Sequence, residues 1–294
     1  MKNNLQGTGI ALVTPFDENK AIDFPALGRL IEYVIADGAD YLVALGTTGE
    51  TPTLSCAEKE ELTAFIRSRN NGRLPLVLGI GGNNTSEIVR KIEKTDLDGI
   101  TAILSVTPYY NKPSQEGLHQ HYKAIAEASP RPVILYNVPG RTGVDLKAET
   151  TLRLAHDFDN IAAIKEASGS LTQMSYVLRD KPENFMVISG DDNMALPLIA
   201  LGGDGVISVA ANAFPEPVCR MVKLCRAGDF AEAAKIQLHL LECVESLFCE
   251  GNPVGVKAAL ALKGILRNEL RLPLVPCSDG LCEKLETLIA KYGL

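Results

Sequence analysis

Short apolar runs and longer amphipathic segments alternate along most of the chain, and this alternation restricts the possible folds more than any other feature. Each pair of segments takes about 30 residues, the size of one strand–helix unit of a parallel sheet. The predicted strands cover 8–13, 41–45, 75–80, 100–107, 132–138, 161–167, 185–189 and 205–210. The predicted helices cover 24–37, 57–69, 85–94, 115–128, 147–156, 170–179, 192–200 and 215–227. The sequence therefore predicts an α/β fold.

The number of these units indicates how the sheet is arranged. Eight strand–helix units in strict alternation favour a closed parallel (β/α)8 barrel, or TIM barrel, over an open doubly wound sheet. The predicted barrel occupies residues 1–227, and residues 228–294 form a C-terminal helical appendage. Its helical patterns lie near 229–248, 253–267 and 280–292. No Gly/Ser-rich linker precedes the appendage, so we expect it to pack on the barrel.

Composition and charge narrow the class of partner. The 294 residues are 46% apolar and 22% charged, close to the averages of globular proteins, which argues against a disordered or fibrous chain. The 29 Lys and Arg are outnumbered by 36 Asp and Glu, giving a net charge of −7. A phosphate backbone or an anionic membrane is therefore a poor partner. Small molecules or other proteins remain.

The N-terminal residues lack a long apolar stretch, and the longest apolar runs fall far short of the ~20 residues needed to span a bilayer. These observations predict a cytoplasmic protein without a signal peptide.

Cysteine and histidine spacing gives no indication of a metal site. The chain has 7 Cys without a Cys-x-x-Cys pair, and we interpret them as buried free thiols. His119 and His121 lie in a predicted helix, where residues two apart point away from each other. We therefore predict no metal site.

Lys165 is the first candidate for catalysis. It interrupts the apolar strand 161–167, and the two-residue period places it on the same face as Ala163, which points into the barrel. A buried ammonium group is costly, so burial favours the neutral amine, which is a nucleophile toward carbonyl groups. This pattern indicates Schiff-base chemistry. The alternative is a structural ion pair with Glu166.

Three loops after predicted strands carry further polar groups at the same end of the barrel. Thr47 and Thr48 lie in the Gly-Thr-Thr-Gly-Glu segment 46–50, which could bind a carboxylate or be an ordinary turn. Tyr136 ends a strand and could transfer a proton, and Arg141 could bind a carboxylate. Core filling and solvent exposure are their respective alternatives. Tyr109 and Tyr110 follow another strand and could relay protons or stack at an interface.

Three of these segments together resemble a known family. They are Gly-Thr-Thr-Gly-Glu at 46–50, Tyr-Asn-Val-Pro-Gly-Arg-Thr-Gly at 136–143 and Ile-Lys-Glu at 164–166. The chain resembles the pyruvate-dependent class I aldolase family that includes N-acetylneuraminate lyase, over nearly its whole length. The resemblance implies a barrel with C-terminal helices, assembled as a homotetramer of two tight dimers. It also implies condensation of pyruvate with L-aspartate-4-semialdehyde in lysine biosynthesis through diaminopimelate.

The resemblance also implies roles for individual residues. Lys165 forms the Schiff base with pyruvate, and no metal or organic cofactor is required. Tyr136 donates and accepts protons in a relay with Thr47 and with Tyr110, which reaches in from the neighbouring subunit. Thr48 holds the pyruvate.

Two further contacts follow from the same resemblance. The backbone of Ile207 would also hold the pyruvate, and Arg141 would bind the carboxylate of the semialdehyde. A lyase for sialic acid or a 2-keto-3-deoxy sugar acid is the alternative within the family, although sialic acid lyases carry Ser-Thr in place of Thr47 and Thr48. A non-catalytic sensor is the alternative outside it, but Lys165 is present.

The resemblance also implies a regulatory site, in which some residues match the family and others differ. Asn83, Glu87 and Tyr109 match residues that bind inhibitory lysine at the dimer interface of some members. Cys56 and Lys59 stand where histidines are often found. A cation at position 59 would either face the cationic part of the ligand or meet its carboxylate, and we predict weak or absent feedback inhibition.

Overall fold

A computed structural model of the protein describes residues 5–294 and contains a closed barrel of eight parallel strands joined in chain order. The predicted (β/α)8 fold is therefore confirmed. Residues 1–4, which belong to the N-terminal segment read above and to the predicted range 1–227, lie outside the described part. The strands are β1 (Gly7–Ala11), β2 (Tyr41–Ala44), β3 (Leu76–Gly79), β4 (Ala102–Val106), β5 (Val133–Asn137), β6 (Ile161–Glu166), β7 (Met186–Ser189) and β8 (Gly205–Ser208).

The helices follow the predicted alternation. They are α1 (Phe24–Ala36), α2 (Cys56–Asn70), α3 (Thr85–Lys94), α4 (Gln115–Ala128), α5 (Pro139–Thr142), α6 (Ala148–Asp157), α7 (Leu171–Asp180), α8 (Ala195–Ala200), α9 (Pro215–Arg226), α10 (Phe230–Phe248), α11 (Val254–Leu262) and α12 (Asp279–Tyr292). Most predicted boundaries differ from these by one or two residues.

Two helix predictions were wrong in their extent, and one helix was missed. The predicted helix 253–267 ends at Leu262, because Gly264 has a φ of 72° and reverses the chain direction. The predicted helix 192–200 begins as a 3-10 turn at Asp192–Met194 before α8. The four-residue helix α5 was not predicted, since its Pro-Gly-Arg-Thr sequence carries no helical period.

The barrel closes where β1 meets β8, and two glycines make this contact possible. Gly7 pairs with Gly205, and a Cβ atom on Gly205 would lie 2.0 Å from the Gly7 carbonyl oxygen. Any side chain at position 205 would therefore separate the two strands and open the barrel.

Alternate residues of the strands fill the barrel interior. Ala163 belongs to this inner core with Tyr136 and Ile207, whereas Ile164 packs in the outer layer between strands and helices. The face predicted for β6 is therefore confirmed, and the side chain of Lys165 lies on the inner side.

The C-terminal helices pack on one another and on the barrel helices. α10 lies against α9, α11 and α12, and α11 contacts the 3-10 turn Ala210–Asn212 that follows β8. Within residues 5–294, no helix is both long and apolar enough to cross a membrane.

The interpretation of all cysteines as buried free thiols was wrong for four of the seven. Cys277 and Cys282 form a disulfide, because the chain turns into α12 at Ser278 and brings their Cα atoms to 6.5 Å. Cys56 and Cys249 are free but exposed. A spacing of five residues matches no known cysteine motif, so the sequence did not predict this disulfide.

His119 and His121 are both buried, and each contacts a side chain from another helix. His119 Nε2 lies 2.8 Å from Asp157 Oδ2, and His121 Nδ1 lies 2.8 Å from Thr85 Oγ1. In the described part of the chain, no group of three or more His, Cys, Asp or Glu side chains could hold a metal ion.

Candidate active site

Lys165 lies near the C-terminal end of β6 and is 4% exposed. Its Nζ atom is 4.3 Å from the centroid of the Tyr136 ring. Gly190, directly after β7, makes room for it, since a Cβ atom there would lie 3.0 Å from Lys165 Cε. Among residues 5–294, no carboxylate oxygen lies within 4.0 Å of this amine. A buried amine without a counter-ion is therefore available to a ligand.

Glu166 does not pair with Lys165, which removes the structural alternative for the lysine. Its carboxylate accepts hydrogen bonds from Ser168 N (2.8 Å), Asn137 Nδ2 (3.1 Å) and Gln173 Nε2 (3.2 Å). Burial raises the pKa of Glu166, while these hydrogen bonds act in the opposite direction. The carboxylate therefore belongs to a polar cluster on the outer side of the barrel wall.

Tyr136 lies beside Lys165 because β5 and β6 place them at the same register position. The next residue, Asn137, fixes the loop that follows. Its Nδ2 donates to Asp145 Oδ1 (2.9 Å), and its Oδ1 accepts from Leu146 N (2.9 Å). The loop between these residues is thereby closed on the end of β5.

Arg141 is carried by this loop, on the short helix α5. It is exposed, and its guanidinium has no hydrogen bond or ion pair with any other described residue. A free guanidinium beside the barrel mouth can bind a carboxylate in a bidentate manner. The exposure of Arg141 is compatible with the predicted carboxylate contact and with the alternative of a solvated loop residue.

Thr47 and Thr48 begin a 3-10 turn, Thr47–Gly49, that follows β2. Thr48 is 2% exposed, and its Oγ1 accepts a hydrogen bond from Asn252 Nδ2 at 3.1 Å. The turn ends at Glu50, which has a left-handed φ of 52° and a buried side chain. Glu50 forms an ion pair with Lys257 of α11. The C-terminal region therefore reaches the loop that carries both threonines.

Asn252, Lys257 and Glu50 were missed as parts of this site. One signal was present, since Lys257 is an isolated charge within the otherwise apolar helix α11. The pairing of α11 with the loop after β2 joins segments about 200 residues apart, which no local pattern indicates.

Ile207 lies in β8 with its side chain in the inner core. The turn that follows is held by the buried carboxylate of Asp192, which accepts from the Ser208 hydroxyl and from the backbone N–H groups of Val209 and Ala210 (both 3.1 Å). Burial raises the pKa of Asp192, and these hydrogen bonds oppose that shift. The backbone at the end of β8 is therefore bound by a buried carboxylate from the preceding strand–helix unit.

Tyr110 is not brought into the interior of its own barrel. It lies on the loop after β4, is 86% exposed and has a left-handed φ of 72°. Tyr109, its neighbour, is 41% exposed, and its carbonyl oxygen accepts from Asn83 Nδ2 at 3.3 Å. Two of the three residues assigned to the regulatory site are therefore in contact. Glu87 lies on the first turn of α3, close in sequence to Asn83.

Fold and site together define a (β/α)8 barrel enzyme with a buried lysine amine at the C-terminal ends of its strands. The model of the dihydrodipicolinate synthetase family matches residues 4–292. A relative from Parabacteroides distasonis, named 4-hydroxy-tetrahydrodipicolinate synthase, is 52% identical over 99% of this chain and 98% of its own. The chain belongs to the dihydrodipicolinate synthetase family.

Solved structures agree with this assignment. The crystal structure of dihydrodipicolinate synthase from Thermotoga maritima has a TM-score of 0.96 at 39% identity, and the match covers 99% of both chains. The enzyme from Cyanidioschyzon merolae, solved with lysine bound, has a TM-score of 0.94 at 38% identity over 98% of both chains.

Proposed function

We propose that this protein condenses pyruvate with L-aspartate-4-semialdehyde to give 4-hydroxy-tetrahydrodipicolinate, in lysine and diaminopimelate biosynthesis. Its relatives carry the name of this activity. Enzymes of the family use a lysine Schiff base and no external cofactor. The observation that carries the proposal is the Lys165 amine, buried beside Tyr136 without a counter-ion among the described residues. Such an enzyme acts in the cytoplasm.

The reaction begins when the Lys165 amine attacks C2 of pyruvate. Loss of water gives a protonated imine, which withdraws electrons from the neighbouring methyl group. Loss of a methyl proton then gives an enamine, whose carbon attacks the aldehyde. The amino group of the second substrate finally attacks the imine carbon, closes the ring and releases Lys165. Tyr136, whose ring lies against the amine, moves the protons together with Thr47 and Tyr110.

The remaining polar groups of the site bind the carboxylates of the two substrates. The hydroxyl of Thr48 and the backbone of Ile207 hold the pyruvate, and the unpaired guanidinium of Arg141 holds the carboxylate of the semialdehyde. This assignment agrees with the burial of Thr48 and with the exposure of Arg141 at the mouth.

The assembly in this proposal is a homotetramer built from two tight dimers. Tyr110 projects from its own subunit, which is the orientation needed to complete a neighbouring site. Of the described residues, 5–227 form the catalytic barrel in this proposal, and 228–294 form the C-terminal helical region.

The regulatory part of the proposal is that lysine inhibits weakly or not at all. The lysine site would include Asn83, Glu87 and Tyr109. Burial and the positive charge of Lys91 lower the pKa of Lys59, while Cys56 and Glu58 act in the opposite direction. A cationic ligand would add to the repulsion between the two lysines.

The test is pyruvate consumption by wild type and Lys165→Ala, with L-aspartate-4-semialdehyde in one assay and N-acetylmannosamine in the other. We expect turnover with the semialdehyde only, and its loss in the variant. Turnover with the sugar alone would indicate a lyase of the sialic acid branch. No turnover with either substrate, in a folded protein, would indicate a sensor and overturn the proposal.

A further inference from the structure

We infer that Lys257, Glu50 and Asn252 are positioning residues for pyruvate, through which the C-terminal region holds the loop of Thr47 and Thr48. The inference rests on the proposed function. It concerns three side chains that lie outside the reacting groups assigned above and that connect α11, or the residues just before it, to the loop after β2.

The pair of Lys257 and Glu50 is the strongest of these connections. Both side chains are fully buried, and Lys257 Nζ lies 2.5 Å from Glu50 Oε1. The same amine donates to the Glu269 carbonyl oxygen at 2.8 Å and lies 4.2 Å from the centroid of the Phe16 ring. The second oxygen of Glu50 accepts from Arg271 N at 3.1 Å. Both carboxylate oxygens are therefore bound by the C-terminal region.

Glu50 transmits this restraint to the two threonines. Its backbone N–H donates to the Thr47 carbonyl oxygen at 3.1 Å, which closes the 3-10 turn containing Thr48. Its left-handed φ of 52° is an unfavourable conformation for a residue with a side chain. The conformation is retained because the buried side chain is fixed from the other end of the chain, and release of the side chain would free the turn.

Asn252 acts directly on the hydroxyl group of Thr48. Because Nδ2 has hydrogens and no free acceptor lone pair, Asn252 donates and the Thr48 oxygen accepts. The hydroxyl hydrogen of Thr48 must then point elsewhere. A hydroxyl oriented in this way donates to an incoming carboxylate without first losing a bond inside the protein.

A buried ion pair contributes little to stability on average, so stability does not explain this one. The free-energy cost of removing two charges from water offsets most of their attraction. Proteins with apolar residues of similar size at such positions are often equally stable. A fixed geometry next to the substrate explains it better, since a displacement of about 1 Å in such a loop can reduce reactivity about a hundredfold.

The test compares Lys257→Met, the double variant Glu50→Gln/Lys257→Met and wild type. The double variant leaves no unpaired buried charge. Lys263→Met is the matched control, because Lys263 is a half-buried lysine of the same region that bonds to the Ala213 carbonyl oxygen and not to the loop. The readouts are the melting temperature and the pyruvate concentration that half-saturates borohydride trapping of the imine, in which hydride reduces the imine to a stable amine.

We expect the double variant to fold and to need about tenfold more pyruvate for half-saturation. The KM for the semialdehyde should not change, and Lys263→Met should behave like wild type. A wild-type pyruvate requirement in the double variant would overturn the inference. Unfolding of both variants would also overturn it, by showing a role in folding alone. Failure of wild type to trap pyruvate would instead contradict the proposed function.

Discussion

At the scale of single residues, the reactivity of the site depends on what surrounds the Lys165 amine. The amine is buried in the barrel, and the nearest carboxylate in the sequence, Glu166, is bound by groups from two other segments. The strand period predicts which face Lys165 occupies. It does not predict that Glu166 is already satisfied, because the side chains that bind it, Asn137 and Gln173, come from β5 and α7.

Tyr136 provides the first residue prediction. Tyr136→Phe should lower kcat by about 10²–10⁴-fold, because the relay loses its proton donor while the lysine amine remains. Borohydride should still trap pyruvate on the variant. Tyr122→Phe is the control, since that buried hydroxyl bonds to the Ser105 carbonyl oxygen in the wall. Steady-state kinetics that showed equal kcat for Tyr136→Phe and wild type would remove Tyr136 from the relay.

His121 provides a prediction about acid stability. Burial lowers its pKa from 6.5 to about 4, so below pH 6.5 the unfolded chain binds a proton that the folded protein does not. The free energy of unfolding should therefore fall by about 3 kcal/mol through this residue as the pH drops from 6.5 to 4.

Urea unfolding between pH 4 and 7.5 measures this dependence. His121→Gln should show a shallower loss of stability in acid than wild type, with His156→Gln as a control for removing an exposed histidine. Parallel curves for His121→Gln and wild type would contradict the assignment.

At the scale of elements, local signals predicted the ends of helices better than the turns between them. Ser55 caps the N-terminus of α2 through a reciprocal pair of hydrogen bonds with Glu58, which a Ser-x-x-Glu pattern indicates. An ordinary turn was one interpretation of segment 46–50, but the 3-10 form of the turns Thr47–Gly49 and Thr51–Thr53 was not predicted. Both turns meet at Glu50, whose side chain is bound by Lys257 and by the backbone of Arg271, more than 200 residues away.

Helices α2 and α3 carry the prediction on regulation. Lysine at micromolar concentrations should not inhibit the condensation, because Lys59 and its positive neighbour Lys91 would repel a cationic ligand at the expected site. Lys59→His should lower the lysine concentration that gives half-inhibition, since a mostly neutral side chain then replaces a cation. A dose-response curve for each protein measures both effects. Inhibition of the wild-type protein by micromolar lysine would contradict the prediction of weak or absent feedback inhibition.

At the scale of the whole molecule, the exposed Tyr110 leads to a prediction about mixed assemblies. Lys165→Ala and Tyr110→Phe should each be nearly inactive alone. In a mixed dimer, the Tyr110→Phe subunit keeps its lysine and receives an intact tyrosine from its partner. Mixing equal amounts and allowing exchange should therefore restore about a quarter of wild-type activity, because half of the dimers are mixed and each has one complete site.

The control is a mixture of Lys165→Ala with Tyr136→Phe, and its readout is the same condensation assay. Lys165 and Tyr136 of one site belong to the same barrel. Mixed dimers therefore form in this mixture too, but each of their sites lacks either the lysine or the tyrosine. Absence of recovery in the first mixture, with subunit exchange verified, would place Tyr110 outside the neighbouring site.

The order of the site residues along the sequence determines the order in which they are synthesised. Synthesis proceeds from the N-terminus, so all eight strands and Lys165 leave the ribosome before Asn252, Lys257 and Arg271. The barrel wall can form while the loop after β2 still lacks its restraints. The nascent protein would thus carry its reactive amine before it can hold a substrate carboxylate firmly. It would bind pyruvate fully only after the last helices have been synthesised and have packed.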